Sequence, residues 1–146
     1  MSQDNLSHCP RCGAVPRDGK TCKDKYGEIL ALEFEDPAVF GAVHHITVLC
    51  HNLQHSDYFS EESLAWMRST LRSVIVDGMT PDEVLKLARN GVAEGRKVRR
   101  RTPVESPTPS VKWSMTVMDV RMDSAETYIA DIRAWAESIL KDLDVK

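Results

Sequence analysis

The residues whose types and spacing suggest chemistry lie near the start of the chain. Cys9 and Cys12 enclose two residues in the run Cys-Pro-Arg-Cys-Gly, so that both thiolates can reach one metal ion. Gly13 permits the positive φ that such a turn needs. Cys22 follows at the start of a predicted helix, where the helix dipole favours a thiolate. Because zinc in proteins normally takes four tetrahedral ligands, these three thiolates need one further ligand.

An antiparallel pair of helices is expected to supply it. Apolar residues recur at helical spacing from Tyr26 to Phe34, which predicts a first helix from about residue 21 to residue 35. The proline of Asp36-Pro37 ends this helix, and a second helix is predicted from Pro37 to His55 with Pro37 in its first turn. Since the connection is short, the two helices should form an antiparallel hairpin.

The register of this hairpin indicates the fourth ligand. If the chain turns near Asp36, the last turns of the second helix lie beside Cys22, and Cys50, His51 and His55 all fall in that zone. Cys50 belongs to the apolar stripe of the helix, which favours a core position over a ligand role. The two histidines share one helix face at i, i+4 spacing. We therefore predict a structural Zn²⁺ bound by Cys9, Cys12, Cys22 and His55, with His51 as the reserve ligand.

A site of three thiolates and one imidazole would be closed. Such sites are structural rather than hydrolytic, because no position remains for water or substrate. Metal binding would also order residues 1–21, which are too polar to form a core of their own. A redox-active dithiol and two idle thiols are the alternatives for Cys9 and Cys12. A redox pair is expected to follow a strand and open a helix, whereas this pair lies in coil with a third cysteine close by.

His44 is the candidate for acid–base chemistry. It lies as far after the predicted turn as Glu28 lies before it, so the two side chains should face each other across the hairpin. A histidine with a carboxylate partner can act as a general base. The alternative is a polar pair that locks the hairpin, and we prefer it because the chain has no Walker loop, GxGxxG, GxSxG or HExxH motif. The sequence thus leans against an enzyme.

The remaining pattern predicts a mainly α fold of about five helices. A third helix is expected after Ser60, a fourth after the capping box at Thr80, and a last one capped by Asp123. Residues 111–120 are rich in β-formers and predict either a short strand or an extended segment.

Composition narrows the class of protein. The chain has 146 residues, of which 42% are hydrophobic and 28% charged, and a net charge of −3, as in an ordinary globular protein rather than a disordered one. We expect one domain over residues 1–146, with residues 1–21 docked on the helices as a knuckle. No apolar run approaches the roughly 20 residues of a membrane span, and the N-terminus lacks a signal-peptide layout, so we expect a cytoplasmic protein with no membrane partner.

A basic, proline-rich loop is predicted over residues 95–110. Its charge could attract nucleic acid or an acidic partner. No nucleic-acid-binding fingerprint accompanies it and the chain is acidic overall, which favours a solvated loop. The candidate contacts for nucleic acid are Arg96, Lys97, Arg99, Arg100 and Arg101.

Four segments in order along the chain carry a family resemblance. They are Cys9–Ala14, Cys22 with Tyr26–Glu28, Asp36–His55, and Thr116–Val120 together with Arg133–Ser138. On these segments the chain resembles a family of small bacterial proteins that has an N-terminal zinc knuckle and no established activity. The family often has a longer polar insert, with a histidine, where this chain has residues 15–21. The resemblance implies His55 rather than His51 as the fourth ligand, since the recurring metal-type residues of the family match Cys9, Cys12, Cys22, His44 and His55.

The leading hypothesis is a non-enzymatic binding module with one structural zinc and an unidentified protein partner. One alternative is an enzyme that uses a pocket of the hairpin with Glu28 and His44 as an acid–base pair. The other is nucleic-acid binding through the basic run at residues 96–101.

Overall fold

The computed structural model describes residues 8–93 and 111–144. No β-strand occurs in these two ranges, and the isolated bridge between Arg17 and Lys20 belongs to a tight turn. The mainly α fold predicted from the sequence is confirmed. The predicted loop at 95–110 and its basic residues lie outside the described residues. The α-helices are α1 (Cys22–Glu35), α2 (His44–Gln54), α3 (Glu61–Asp77), α4 (Pro81–Ala93) and α5 (Ala125–Asp144).

Local capping determines where two of these helices begin. At α1, the Thr21 hydroxyl accepts a hydrogen bond from the Asp24 N–H at 3.3 Å, and the Asp24 carboxylate accepts one from the Thr21 N–H at 3.0 Å. This capping box makes Cys22 the first residue of the helix. At α5 the predicted cap, Asp123, is wrong. The helix begins one residue later, and the Ser124 hydroxyl accepts from the N–H three residues on, at 3.2 Å.

The connection between α1 and α2 is longer than the sequence predicts. α2 begins at His44 rather than at Pro37, because the chain first makes a turn and a short 3₁₀ helix, Phe40–Val43. The N–H of Gly41 donates to the carbonyl of Asp36 at 2.9 Å, which closes the turn. A Cβ atom at Gly41 would lie 2.8 Å from the carbonyl oxygen of residue 33, so the turn needs a glycine where it passes α1.

Contacts along the hairpin confirm that α1 and α2 are antiparallel. The start of α1 lies beside the end of α2, and the end of α1 beside the start of α2. The pairs in contact are Cys22 with His55, Tyr26 with His51, and Glu33 with His44. The midpoint of each pair in the sequence lies between Ala38 and Val39. The chain therefore turns later than the predicted turn at Asp36.

The core lies among α1, α2, α3 and α5, and one polar chain crosses it. The indole N–H of Trp135 donates to the Gln54 side-chain oxygen at 3.2 Å, and the Gln54 amide donates to the Met115 carbonyl at 2.8 Å. These bonds fasten residues 111–120 to the helices, although that segment forms a 3₁₀ turn, Val117–Asp119, and not a strand. The largest fully buried apolar side chains are Trp135, Tyr128, Ile29, Ile46, Leu71, Ile132 and Ile139.

Phe34 belongs to the apolar pattern of α1 but lies outside the core. Its residue surface is 79% exposed. The buried face of α1 carries Cys22, Ile29 and Glu33, which are seven and four positions apart, and Phe34 lies one position beyond that stripe. In the described ranges, no helix combines the length and apolarity that crossing a membrane requires.

Candidate metal centre

Cys9 and Cys12 are held by a tight turn of the N-terminal arm. The Gly13 N–H donates to the Cys9 carbonyl at 2.9 Å, and the Cys9 N–H donates to the Ala14 carbonyl at 3.0 Å. Gly13 has a φ of 79°, which favours glycine. The N–H groups of Arg11 and Cys12 donate to Sγ of Cys9 at 3.4 and 3.5 Å. Such donors stabilise a negative charge on that sulfur.

A second tight turn leads from this knuckle to α1. Arg17 and Lys20 exchange two backbone hydrogen bonds, at 3.0 and 2.9 Å, around Asp18-Gly19, whose φ angles of 52° and 77° suit a two-residue hairpin loop. The guanidinium of Arg17 donates to the Met118 carbonyl at 3.1 Å. This hydrogen bond attaches the N-terminal arm to the segment that precedes α5. After the turn, the chain reaches Cys22 at the start of α1.

The four predicted ligands lie together. One ligand atom from each of Cys9, Cys12, Cys22 and His55 lies within 4.8 Å of the others. Nε2 of His55 is 3.8 Å from Sγ of Cys9 and 3.8 Å from Sγ of Cys22. The bond lengths of a tetrahedral zinc site imply sulfur-to-nitrogen separations of roughly 3.6 Å. The donor set and its spacing therefore fit one metal ion.

The orientation of His55 suits a ligand. Its Nδ1–H donates to the backbone carbonyl of His51 at 2.8 Å, so Nε2 faces the sulfurs. Metal-bound histidines usually have such a second partner.

Burial lowers the pKa of His55, but the hydrogen bonds with Cys22 and Cys9 outweigh it and raise that pKa to about 9. Hydrogen bonds from Cys12 and Cys22 hold the pKa of Cys9 far below its usual value. The arrangement thus stabilises a thiolate on Cys9.

His51 and Cys50 lie near the cluster but have other surroundings. The ring of His51 is stacked between Tyr26, at 3.6 Å between centroids, and His55, at 4.1 Å. Burial and the neighbouring His55 lower the pKa of His51 to about 3, so its ring is neutral at pH 7. Cys50 is fully buried in the hydrophobic core, and burial raises the pKa of its thiol. Within the described ranges, the cluster that can hold a metal ion includes His55 and does not include His51 or Cys50.

Two contacts beside the cluster were not predicted from the sequence. The Arg11 guanidinium donates to Oδ1 of Asp57 at 2.7 Å and lies 4.7 Å from the ring centroid of Tyr58. Both partners belong to the 3₁₀ turn Ser56–Tyr58, directly after His55. The signal available in the sequence is an arginine between the two cysteines and an acidic residue two positions after the fourth ligand.

The predicted pairing of Glu28 with His44 is wrong. Glu28 forms an exposed ion pair with Lys20. Nδ1 of His44 instead donates to Oε1 of Glu33 at 2.8 Å. Because the chain turns later than predicted, the residue opposite His44 lies further along α1.

The fold and this cluster define the class: a mainly α-helical protein with a cluster of three cysteines and one histidine that can hold a metal ion. Residues 7–144 match the family model described as Family of unknown function (DUF5946), and the chain belongs to this family. The resemblance to a family without an established activity is thus confirmed. Neither the curated proteins nor the solved structures gave a significant match.

Proposed function

We propose that the protein binds one structural Zn²⁺ ion through Cys9, Cys12, Cys22 and His55, and that the fold stabilised in this way is a binding module. The observation that carries the proposal is the convergence of four ligand atoms within 4.8 Å. Three sulfurs and one imidazole nitrogen in a tetrahedral arrangement are typical of zinc, which tolerates both ligand types.

A structural role follows from the number and position of the ligands. Four protein ligands fill a tetrahedral zinc ion, so no coordination site is open to substrate. The ligands come from the N-terminal knuckle, the first residue of α1 and the residue after α2. The ion would therefore join three segments that are distant in sequence, and its binding free energy would contribute to folding.

A binding role is supported by the surface of α4. Among the described side chains of this helix, Val84 is the buried one, whereas Leu85 and Leu87 are 49% and 40% exposed. Val76, at the end of α3, is 68% exposed. Apolar side chains that are exposed on a helix can contribute to a contact with another protein. We therefore propose a protein partner that contacts α4.

Metal analysis of purified variants tests the zinc site. We expect the wild type to contain close to one zinc per chain, and Cys22→Ser and His55→Ala to lose it, because each removes one of the four ligands. Cys50→Ala and His51→Ala are the matched controls and should retain the metal. Cobalt substitution adds a second readout, since a thiolate-to-cobalt charge-transfer band should appear in the wild type and weaken in Cys22→Ser. Unchanged zinc content in both ligand variants would contradict the proposal.

Affinity purification tests the partner contact. The double variant Leu85→Lys, Leu87→Lys replaces two exposed side chains, so it should fold like the wild type by circular dichroism. A protein that binds the wild type directly and fails to bind this variant would support a contact through α4. Recovery of the same proteins with both forms, or with neither, would contradict it.

A further inference from the structure

A second candidate site lies at the opposite end of the hairpin from the metal cluster. A cavity of about 260 Å³ opens there beside the turn between α1 and α2. Three of its lining residues, Phe34, Pro37 and Gly41, are apolar, and the other two are Glu33 and His44. Cavities of about 150 Å³ bind a benzene ring. The cavity is therefore large enough for a molecule with one aromatic ring.

Glu33 makes its hydrogen bonds inside the protein. Its side chain is 2% exposed. Oε1 accepts from Nδ1 of His44 at 2.8 Å, and Oε2 accepts from the hydroxyls of Thr47 at 2.6 Å and Tyr128 at 2.5 Å. Three donors around one buried carboxylate stabilise its negative charge. The role of Glu33 in the cavity is thus to hold the imidazole.

His44 is the group that can reach a ligand. Its side chain is 50% exposed. With Nδ1–H donating to Glu33, the matching imidazole tautomer has its lone pair on Nε2. Nε2 has no hydrogen-bond partner within the ranges 8–93 and 111–144. It is therefore an oriented acceptor in a cavity whose other described lining residues, apart from Glu33, are apolar.

The lining discriminates among classes of ligand. A carboxylate or phosphate would approach the negative charge of Glu33, and none of the five lining residues in the described part of the chain is a lysine or arginine. A purely apolar molecule would leave Nε2 of His44 without a partner, which weakens binding once water is displaced. A neutral molecule with an apolar body and one hydroxyl group meets both requirements.

We propose that this cavity binds a small neutral alcohol or phenol whose hydroxyl donates a hydrogen bond to Nε2 of His44. Phe34 and Pro37 contact the apolar body of the ligand. The proposal does not rest on the proposed zinc, because none of the five described residues that line the cavity belongs to the metal cluster.

Titration of the full-length protein with p-cresol, followed by NMR, tests the proposal. We expect saturable shifts of the His44 imidazole resonances and of the Phe34 ring, with nuclear Overhauser contacts from the ligand to both. Toluene, which lacks the hydroxyl, and 4-methylbenzoate, which is negatively charged, are the matched probes. No saturable shift at either residue would overturn the proposal, and so would 4-methylbenzoate binding as tightly as p-cresol.

Two variants separate the hydrogen bond from the apolar contact. His44→Leu should lower the affinity for p-cresol relative to toluene by about fivefold or more, because the hydroxyl loses its acceptor. Phe34→Ala removes an exposed apolar wall and should weaken both probes alike. An unchanged ratio in His44→Leu would overturn the proposal. If His44→Leu does not fold, the shifts and Overhauser contacts of the wild type decide the question.

Discussion

Replacing Tyr128 with phenylalanine removes one hydroxyl from the buried polar network around Glu33. Tyr128 is 0% exposed, and its hydroxyl donates to Oε2 of Glu33 at 2.5 Å. Phenylalanine fills the same ring volume, so the variant leaves no large cavity. The lost hydrogen bond to a carboxylate should therefore dominate the change in stability.

The size of this loss follows from the remaining donors. A hydrogen bond to a charged group contributes about 1.5–3 kcal/mol to stability. The Glu33 carboxylate keeps its hydrogen bonds from Thr47 and His44, so it is not left unpaired. We therefore expect Tyr128→Phe to lower the free energy of unfolding by about 1.5–2 kcal/mol. Urea denaturation should show a lower midpoint with an unchanged m-value.

Tyr26→Phe is the matched control. The Tyr26 hydroxyl forms no hydrogen bond with any residue in the described ranges, and its ring stacks on His51. Removing it should change the free energy of unfolding by less than about 0.5 kcal/mol. Equal losses in the two variants, or a loss below that value in Tyr128→Phe, would refute the reasoning that the hydroxyl stabilises the carboxylate.

Three further changes test other parts of the structure. Gly41→Ala should destabilise the fold by about 1–3 kcal/mol in urea, because its Cβ would lie 2.8 Å from a backbone oxygen of α1; a neutral effect would contradict the turn geometry. Burial raises the pKa of Cys50 well above the usual 9.0 of an exposed thiol, so its contribution to stability is complete below that pH and is lost as the pH rises further. Cys50→Ala should consequently flatten the loss of stability as the pH rises above about 9, and an unchanged slope would contradict this. Chelation of the proposed metal should increase amide exchange in residues 9–14, whereas unchanged exchange in these residues would contradict a structural role for the ion.

Structural features that depend on residues close together in the sequence could be predicted. The spacing of Cys9 and Cys12, with Gly13 after them, specifies a turn by local geometry alone. The capping box at Thr21 likewise determines where α1 begins. The contact of Arg11 with the turn after α2 depends instead on how distant segments approach each other, and neither local spacing nor periodicity contains that information.

Side-chain burial was predictable only where the helical stripe continues to the end of the helix. Ile29 follows the stripe of α1 and is fully buried. Phe34 is as apolar, but it lies next to the turn, where no other element covers it, and it lines an open cavity instead. Periodicity identifies the face of a helix that is apolar, whereas the length over which that face is covered depends on the packed structure.

The hairpin register explains why one long-range prediction succeeded and another failed. Moving the centre from Asp36 to the position between Ala38 and Val39 changes the partner of every residue in α1. The predicted zone opposite Cys22 extended to His55, so it still contained the residue now found there. The prediction for His44 named a single partner, Glu28, and the same displacement made it wrong.

One alignment of the two helices therefore serves both sites. The pair at the metal cluster, Cys22 with His55, and the pair at the cavity, Glu33 with His44, have the same centre in the sequence. Tyr26 and His51, which lie between these two pairs, stack on each other and have the same midpoint in the sequence. Because packed helices cannot slide at one end alone, a metal ion that holds Cys22 against His55 would also maintain the position of Glu33 opposite His44. The metal cluster would then orient the imidazole at the other end of the hairpin without touching it.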